Sequence, residues 1–97
     1  MAIDPRVLSV PALVHGRVLL DAVDGAASLV VGFHGYGQLA EDHLEELRRL
    51  RGDHSWALAA VQALHPFYRR SDGTVAAGWM TRLDREQAIA DNVAYVA

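Results

Sequence analysis

The stretch Ser28-Leu29-Val30-Val31-Gly32-Phe33-His34-Gly35-Tyr36-Gly37 is an apolar run of strand-forming residues that ends abruptly in a glycine-punctuated turn. A helical pattern begins at once, near Leu39. Strand, glycine turn and helix in direct succession are the layout of a parallel α/β unit, in which ligands sit at the carboxyl ends of the strands. From Ala27 to Phe33 the run is continuous rather than alternating, the pattern of a parallel strand covered on both faces. Gly35 and Gly37 carry no Cβ and can take positive φ, so the turn suits backbone N–H groups that meet an anion or oxyanion at close range. The glycine order is not that of a dinucleotide fingerprint, and without a lysine anywhere in the chain there is no P-loop.

The elements on either side fit the same unit. Leu44, Leu47 and Leu50, with Ala40 ahead of them, make a narrow apolar stripe that predicts a helix from about Leu39 to Arg51. Glu41, Asp42, Glu45 and Glu46 lie toward its start and Arg48, Arg49 and Arg51 toward its end, complementing the macrodipole, and Gly52 supplies the stop. Upstream, residues 1–11 contain Pro5 and Pro11 and read as an irregular lead-in, while Ala12 to Val23 is β-prone, with Gly16 marking a turn or bulge. Downstream, Ser55 to Leu64 is a short apolar run that a crossover helix would deliver as a second parallel strand. Residues 65–83 carry Phe67, Tyr68, Ser71-Asp72-Gly73, Gly78 and Trp79 and read as a long loop. A second helix is predicted over 84–97, with Asp84 and Gln87 as a capping box and Ile89, Val93 and Val96 as its apolar stripe. That stripe reaches Ala97 with no terminating signal, so the pattern β-β-α-β-loop-α stops midway through a helix.

Composition bounds what such a chain does. Ninety-seven residues allow one small domain, and 52% hydrophobic content is ample for a packed core. All nine basic residues are arginines and form no polybasic block, and the net charge is −3, so nucleic-acid binding has little support. The absence of cysteine removes disulfides, thiolate catalysis and cysteine-ligated metals together. The N-terminus lacks the basic start and long apolar core of a secretory signal, and no run approaches a membrane span, which makes cytoplasmic the expected location.

Few side chains offer chemistry of their own. His15, His34, His43, His54 and His65 form no His-x3-His or His-Glu-x-x-His pattern, so no metal site is expected. Ser9, Ser28, Ser55 and Ser71 are the serines, and none sits in a Gly-x-Ser-x-Gly elbow. His34 stands where it can hydrogen-bond the turn into shape. Trp79, beside Gly78, either walls an acyl pocket or packs on the sheet edge, with Phe67 and Tyr68 as its aromatic companions.

Taken together, Val30-Val31-Gly32-Phe33-His34-Gly35-Tyr36-Gly37, followed by Glu41-Asp42, resembles the strand and oxyanion loop of the α/β-hydrolase fold. Within that fold the chain looks most like the phospholipase/carboxylesterase group of serine esterases, with its His-Gly-x-Gly loop. His65-Pro66-Phe67-Tyr68, Gly78-Trp79-Met80, Asp84-Arg85-Glu86 and Asp91-Asn92 extend the likeness over most of the chain from Leu29 onward. The resemblance implies the N-terminal part of an α/β-hydrolase domain, a mostly parallel sheet with flanking helices, without a cofactor and with a carboxylic ester or thioester as substrate of the complete protein. It also implies that the Tyr36 N–H donates to the oxyanion, that Gly35 and Gly37 permit the turn and that His34 braces it. In that fold nucleophile, acid and base follow in the order Ser, Asp, His after the region matched here. None of the three is therefore assigned within residues 1–97, and the chain alone is expected to be inactive. Two alternatives stand beside this one: a non-catalytic α/β binding or interaction module, and one half of a split enzyme that associates through an unfinished sheet edge.

Overall fold

The computed structural model describes residues 4–97. Its elements are β1 (Arg17–Asp21), β2 (Ser28–Phe33), α1 (Ala40–Arg51), β3 (Trp56–Gln62), β4 (His65–Tyr68), β5 (Val75–Gly78) and α2 (Arg85–Val96). The chain is thus mixed α/β. A three-stranded sheet runs in the order β1-β3-β2, and β4 and β5 form a separate two-stranded hairpin.

β2 and β3 pair in parallel, with Ser28 opposite Trp56 and Phe33 opposite Val61. α1 supplies the crossover between them, as the strand-turn-helix pattern predicts. β1 pairs with β3 in the antiparallel sense, with Arg17 opposite Gln62 and Asp21 opposite Leu58. The sheet is therefore mixed rather than mostly parallel. In the β-prone segment only Arg17–Asp21 becomes strand, and residues 12–16 carry no regular structure.

α1 begins after Leu39, a residue with no side-chain acceptor for a cap. Asp42 compensates by reaching back so that its Oδ2 accepts the Leu39 N–H at 2.9 Å. The helix ends at Gly52, whose φ of +51° favours glycine. Ala40, Leu44 and Leu47 are buried, whereas Leu50 is 71% exposed and lies off the packed face. The core is formed by these three with Leu58 and Ala60 of β3, and Leu19, Val30 and Trp56 pack against it. It lies between one face of the sheet and α1.

The other face of the sheet departs from expectation. Val18, Leu20, Leu29, Val31 and Phe33 point away from α1 and remain between 45% and 65% exposed. β2 is therefore covered mainly on one face, because among the described residues no second helix lies over these side chains. A continuous apolar run also arises when one face is packed and the other simply lacks polar residues.

Residues 65–83 are not a long loop. His65–Tyr68 and Val75–Gly78 form an antiparallel hairpin, with His65 opposite Gly78 and Tyr68 opposite Val75. Its turn is closed by Asp72, whose carboxylate accepts hydrogen bonds from Thr74 N–H, Thr74 Oγ1–H and Arg69 Nη2. α2 corrects two further expectations. Asp84 makes no side-chain cap; it takes φ of +49°, and Gln87 bonds Asp91 instead of closing a capping box. Ile89, Val93 and Val96 are 38–64% exposed, and the buried positions are Ala88 and Asn92. Asn92 is drawn inward because its Nδ2 donates to the carbonyls of Trp79 and Ala88. Tyr95 anchors the same helix to the sheet: its hydroxyl accepts from Arg17 N–H at 3.1 Å and lies 3.1–3.2 Å from the carbonyls of Gln62 and Arg17.

Candidate functional site

The turn that follows β2 lies at the carboxyl end of a parallel strand, where this class of unit places ligands. Gln38 N–H donates to the Gly35 carbonyl at 3.2 Å, and Gly37 has φ of +80°. Positive φ at the third of four residues, with Tyr36 before it at negative φ, is the mark of a type II turn. Gly37 thus meets the conformational demand the sequence suggests. Gly35 does not: its φ is not positive, and a Cβ there would meet only Gln38 Oε1, at an ordinary 3.5 Å.

Three side chains brace the entry to this turn, and Arg69 Nη1 reaches the Gly37 carbonyl at 3.5 Å from the hairpin. His34 is 2% exposed, and both of its ring nitrogens are engaged. Nδ1 lies 2.8 Å from the Gly35 carbonyl, and Nε2 lies 3.0 Å from the Ala63 N–H. A carbonyl only accepts and an amide only donates, so the partners select the Nδ1–H tautomer. The ring joins the turn to the end of β3 and leaves no nitrogen free for proton transfer. Trp79 donates its indole N–H to the His34 carbonyl at 2.9 Å and meets the Phe33 ring edge-to-face at 5.9 Å. Trp79 thus packs against the strand end, a contact compatible with either of the two roles open to it. Gln38 is the third brace: its Oε1 accepts the Gly35 N–H at 3.0 Å, and its Nε2 donates to Glu46 of α1 at 3.1 Å.

The hairpin closes on the same turn from outside. Ala77 N–H donates to the Gln38 carbonyl at 3.0 Å. The Tyr36 ring stacks on Phe67 of β4, with centroids 5.5 Å apart, and both rings rest over Gly78. Tyr68, next to Phe67, is 76% exposed and points away. The hairpin thus brings Tyr36, Phe67 and Trp79 to one end of the sheet.

What remains unengaged is informative. Among the described residues, the Gly35 N–H is taken by Gln38, but the backbone N–H groups of Tyr36 and Gly37 have no hydrogen-bond partner. A free amide on a fixed turn can donate to an oxygen of partial or full negative charge. Beside them a hollow of about 460 Å³ has charged walls: Asp42, Glu45, Glu46, Arg49 and Arg69. Glu46 is held below the usual carboxylate range, first by the Gln38 hydrogen bond and then by that of His43. It therefore stays ionised beside the turn near neutral pH.

The other histidines stand apart. His43 bonds Glu46 at 3.1 Å, and His54 stacks on Trp56 with centroids 4.5 Å apart. His65 lies in β4 with its Nε2 buried and without a partner among the described residues. Among those residues the histidine side-chain hydrogen bonds are made by His34 and His43, and none goes to a hydroxyl. No cluster of three or more His, Asp or Glu side chains is placed to hold a metal there either. No helix among the described residues is long and apolar enough to cross a membrane.

Gln38 is the residue that sequence reasoning passes over. The available signal is that a long amide side chain at the last position of a glycine turn can fold back onto the turn's own backbone. Glu46 and the Ala63 amide carry no such signal, since they reach the turn through tertiary packing alone.

No family model matches this chain, and no curated protein or solved structure matches it.

Proposed function

We propose that this chain is the oxyanion-loop portion of a serine hydrolase acting on carboxylic esters or thioesters, built on the N-terminal part of an α/β-hydrolase domain and working in the cytoplasm. The observation that carries the reading is the unengaged Tyr36 N–H, held on a type II turn at the carboxyl end of β2 by His34, Gln38 and Trp79. A donor fixed in advance at that place stabilises the oxygen of a tetrahedral intermediate, and one such donor contributes about 3 kcal/mol where removal has been measured. The likeness of the His34-Gly35-Tyr36-Gly37 turn and the segments after it to serine esterases supplies the reaction class. In this reading nucleophile, acid and base lie outside residues 1–97, and His34 is a brace and not the base.

The test has two parts. The 97-residue chain is expected to turn over no p-nitrophenyl ester. Turnover that a serine-directed phosphonate abolishes would overturn this assignment of roles. Coding DNA downstream of the Ala97 codon is expected to contain a Gly-x-Ser-x-Gly elbow, then an aspartate and a histidine; a closed frame without them ends the catalytic reading.

A second reading is favoured by the uncovered face of the sheet. Val18, Leu20, Leu29, Val31 and Phe33 leave an uncharged apolar surface, and β2 is an edge strand of six residues without a charge or a proline. Such surfaces take partners. In this reading the chain is one half of a split enzyme or a non-catalytic interaction module. Sedimentation of the purified chain as a monomer over a hundredfold concentration range, with and without a candidate companion, would count against it.

A further inference from the structure

We infer that Gln38 is the positioning residue of the turn: its side chain occupies the Gly35 amide and leaves those of Tyr36 and Gly37 to face a ligand. The turn exposes three consecutive amides, those of Gly35, Tyr36 and Gly37. Gln38 Oε1 takes the first at 3.0 Å. A side-chain amide can rotate by half a turn and present its NH2 group instead, which would repel the Gly35 N–H. Glu46 prevents this, because its Oε1 accepts from Gln38 Nε2 at 3.1 Å and so requires nitrogen on that side. Glu46 is itself held in place by His43 Nδ1, 3.1 Å from its other oxygen. The chain of contacts Gly35 N–H, Gln38, Glu46 and His43 therefore ties the orientation of the turn's first peptide to α1.

His34 acts on the next peptide group, through the Gly35 carbonyl, which shares its amide with the Tyr36 N–H. The N–H and the C=O of Gly35 are thus each assigned to a different side chain. Gln38 therefore holds the amide that enters the turn, and His34 holds the amide that bears the Tyr36 N–H. The catalytic meaning of this arrangement rests on the oxyanion reading; the hydrogen-bond relay does not.

The donor and acceptor order of the relay gives it a specific signature. In Gln38→Glu, the new carboxylate faces the Glu46 carboxylate without a proton between them, and their repulsion draws it off the Gly35 N–H. In the exchange pair Gln38→Glu with Glu46→Gln, the new glutamine donates to the carboxylate at 38 and accepts from His43, so every contact is restored and only that between 38 and 46 has donor and acceptor exchanged. A role for Gln38 in packing alone would gain nothing from the second substitution.

The experiment is amide hydrogen exchange by NMR on the 97-residue chain, with the Leu58 amide of β3 as internal reference for global opening. Gly35 is expected to exchange more slowly than Tyr36, as a bonded amide beside a free one. Gln38→Ala and Gln38→Glu are each expected to speed Gly35 exchange about tenfold relative to Leu58, the scale of one lost hydrogen bond. The exchange pair is expected to return it to within about twofold of the original. Equal Gly35 exchange in the unaltered chain and Gln38→Ala overturns the inference, and so does failure of the exchange pair to recover while Leu58 exchange is unchanged. Since the readout involves no ester, a failed esterase reading leaves this result standing, and a failed relay leaves the esterase reading open.

Discussion

Gly37 carries the clearest single-residue demand in the chain. Its φ of +80° lies where a Cβ clashes with the following carbonyl, although nothing else lies within 4 Å of the added atom. Gly37→Ala should therefore cost about 1 kcal/mol through the backbone alone, with a matching fall in thermal midpoint, whereas Gly35→Ala should be nearly silent. An equal loss from both would refute the turn assignment. Asp21 makes a different kind of demand. Its carboxylate accepts from Arg48 Nε at 2.8 Å and Arg51 Nη2 at 3.1 Å, and these bonds, Arg48's first, hold it below its ordinary value of 3.8. A depressed carboxylate binds protons more readily in the unfolded chain. Its stabilising contribution is therefore complete above the ordinary value and is lost as pH falls from there toward the folded-state value. Melting followed from pH 6 downward should show stability falling below about pH 4, less steeply in Asp21→Asn. An acid limb unchanged by that substitution would assign the loss to other carboxylates, such as Glu41 beside Arg17.

Among the elements, β3 holds the most. Leu58 is fully buried between α1 and the neighbouring strands, and its companions Ala40 and Ala60 are too small to fill a void. Leu58→Ala should therefore cost about 2–5 kcal/mol, read from the urea midpoint at unchanged slope; a loss under 1 kcal/mol would show that the core collapses around the gap. How far the elements can be read from the sequence depends on how local their causes are. β2, the turn and α1 are legible because an apolar run, two glycines and a leucine stripe lie side by side in the chain. The crossover into parallel β3 follows from them. The β4–β5 hairpin is not legible, since its strands are four residues each, contain Pro66, and are held in place partly by the Ala77 bond to Gln38, far away in sequence. The packed face of α2 is illegible for a similar reason. Its apolar stripe points outward, and a buried asparagine faces inward because the Trp79 carbonyl needs a donor. At the candidate site, the conformational role of Gly37 and the bracing role of His34 follow from residue type and position, but the partners of His34 and the whole Gln38 relay come from packing.

The molecule as a whole is thin and long, with extents of 68 × 32 × 17 Å and a radius of gyration of 17.3 Å. A packed domain of this length has about 13 Å. Part of the excess is the N-terminal segment, where Val7 is 89% and Leu13 is 91% exposed. The rest reflects a sheet with a helix on one side only. Leu20 and Val31 stand at the centre of the bare face, both in register with Ala59 of β3. Val31→Lys should lower any concentration-dependent self-association seen by sedimentation while leaving the helical signal of circular dichroism in place. If association persists in the lysine variant, it runs through the β2 edge instead.

The chain's two tryptophans have a practical consequence. Trp56 stacks on His54 at the amino end of β3, opposite Ser28, whereas Trp79 reaches the carbonyl of His34 at the carboxyl end of β2. Each indole therefore reports on a different end of the sheet by its intrinsic emission. Removing Trp56 by substitution with phenylalanine leaves a single indole, which excitation at the red edge selects over the tyrosines and which is hydrogen-bonded to the strand end that leads into the glycine turn. Its colour and accessibility to a quencher then register, without any label, whether that turn is seated.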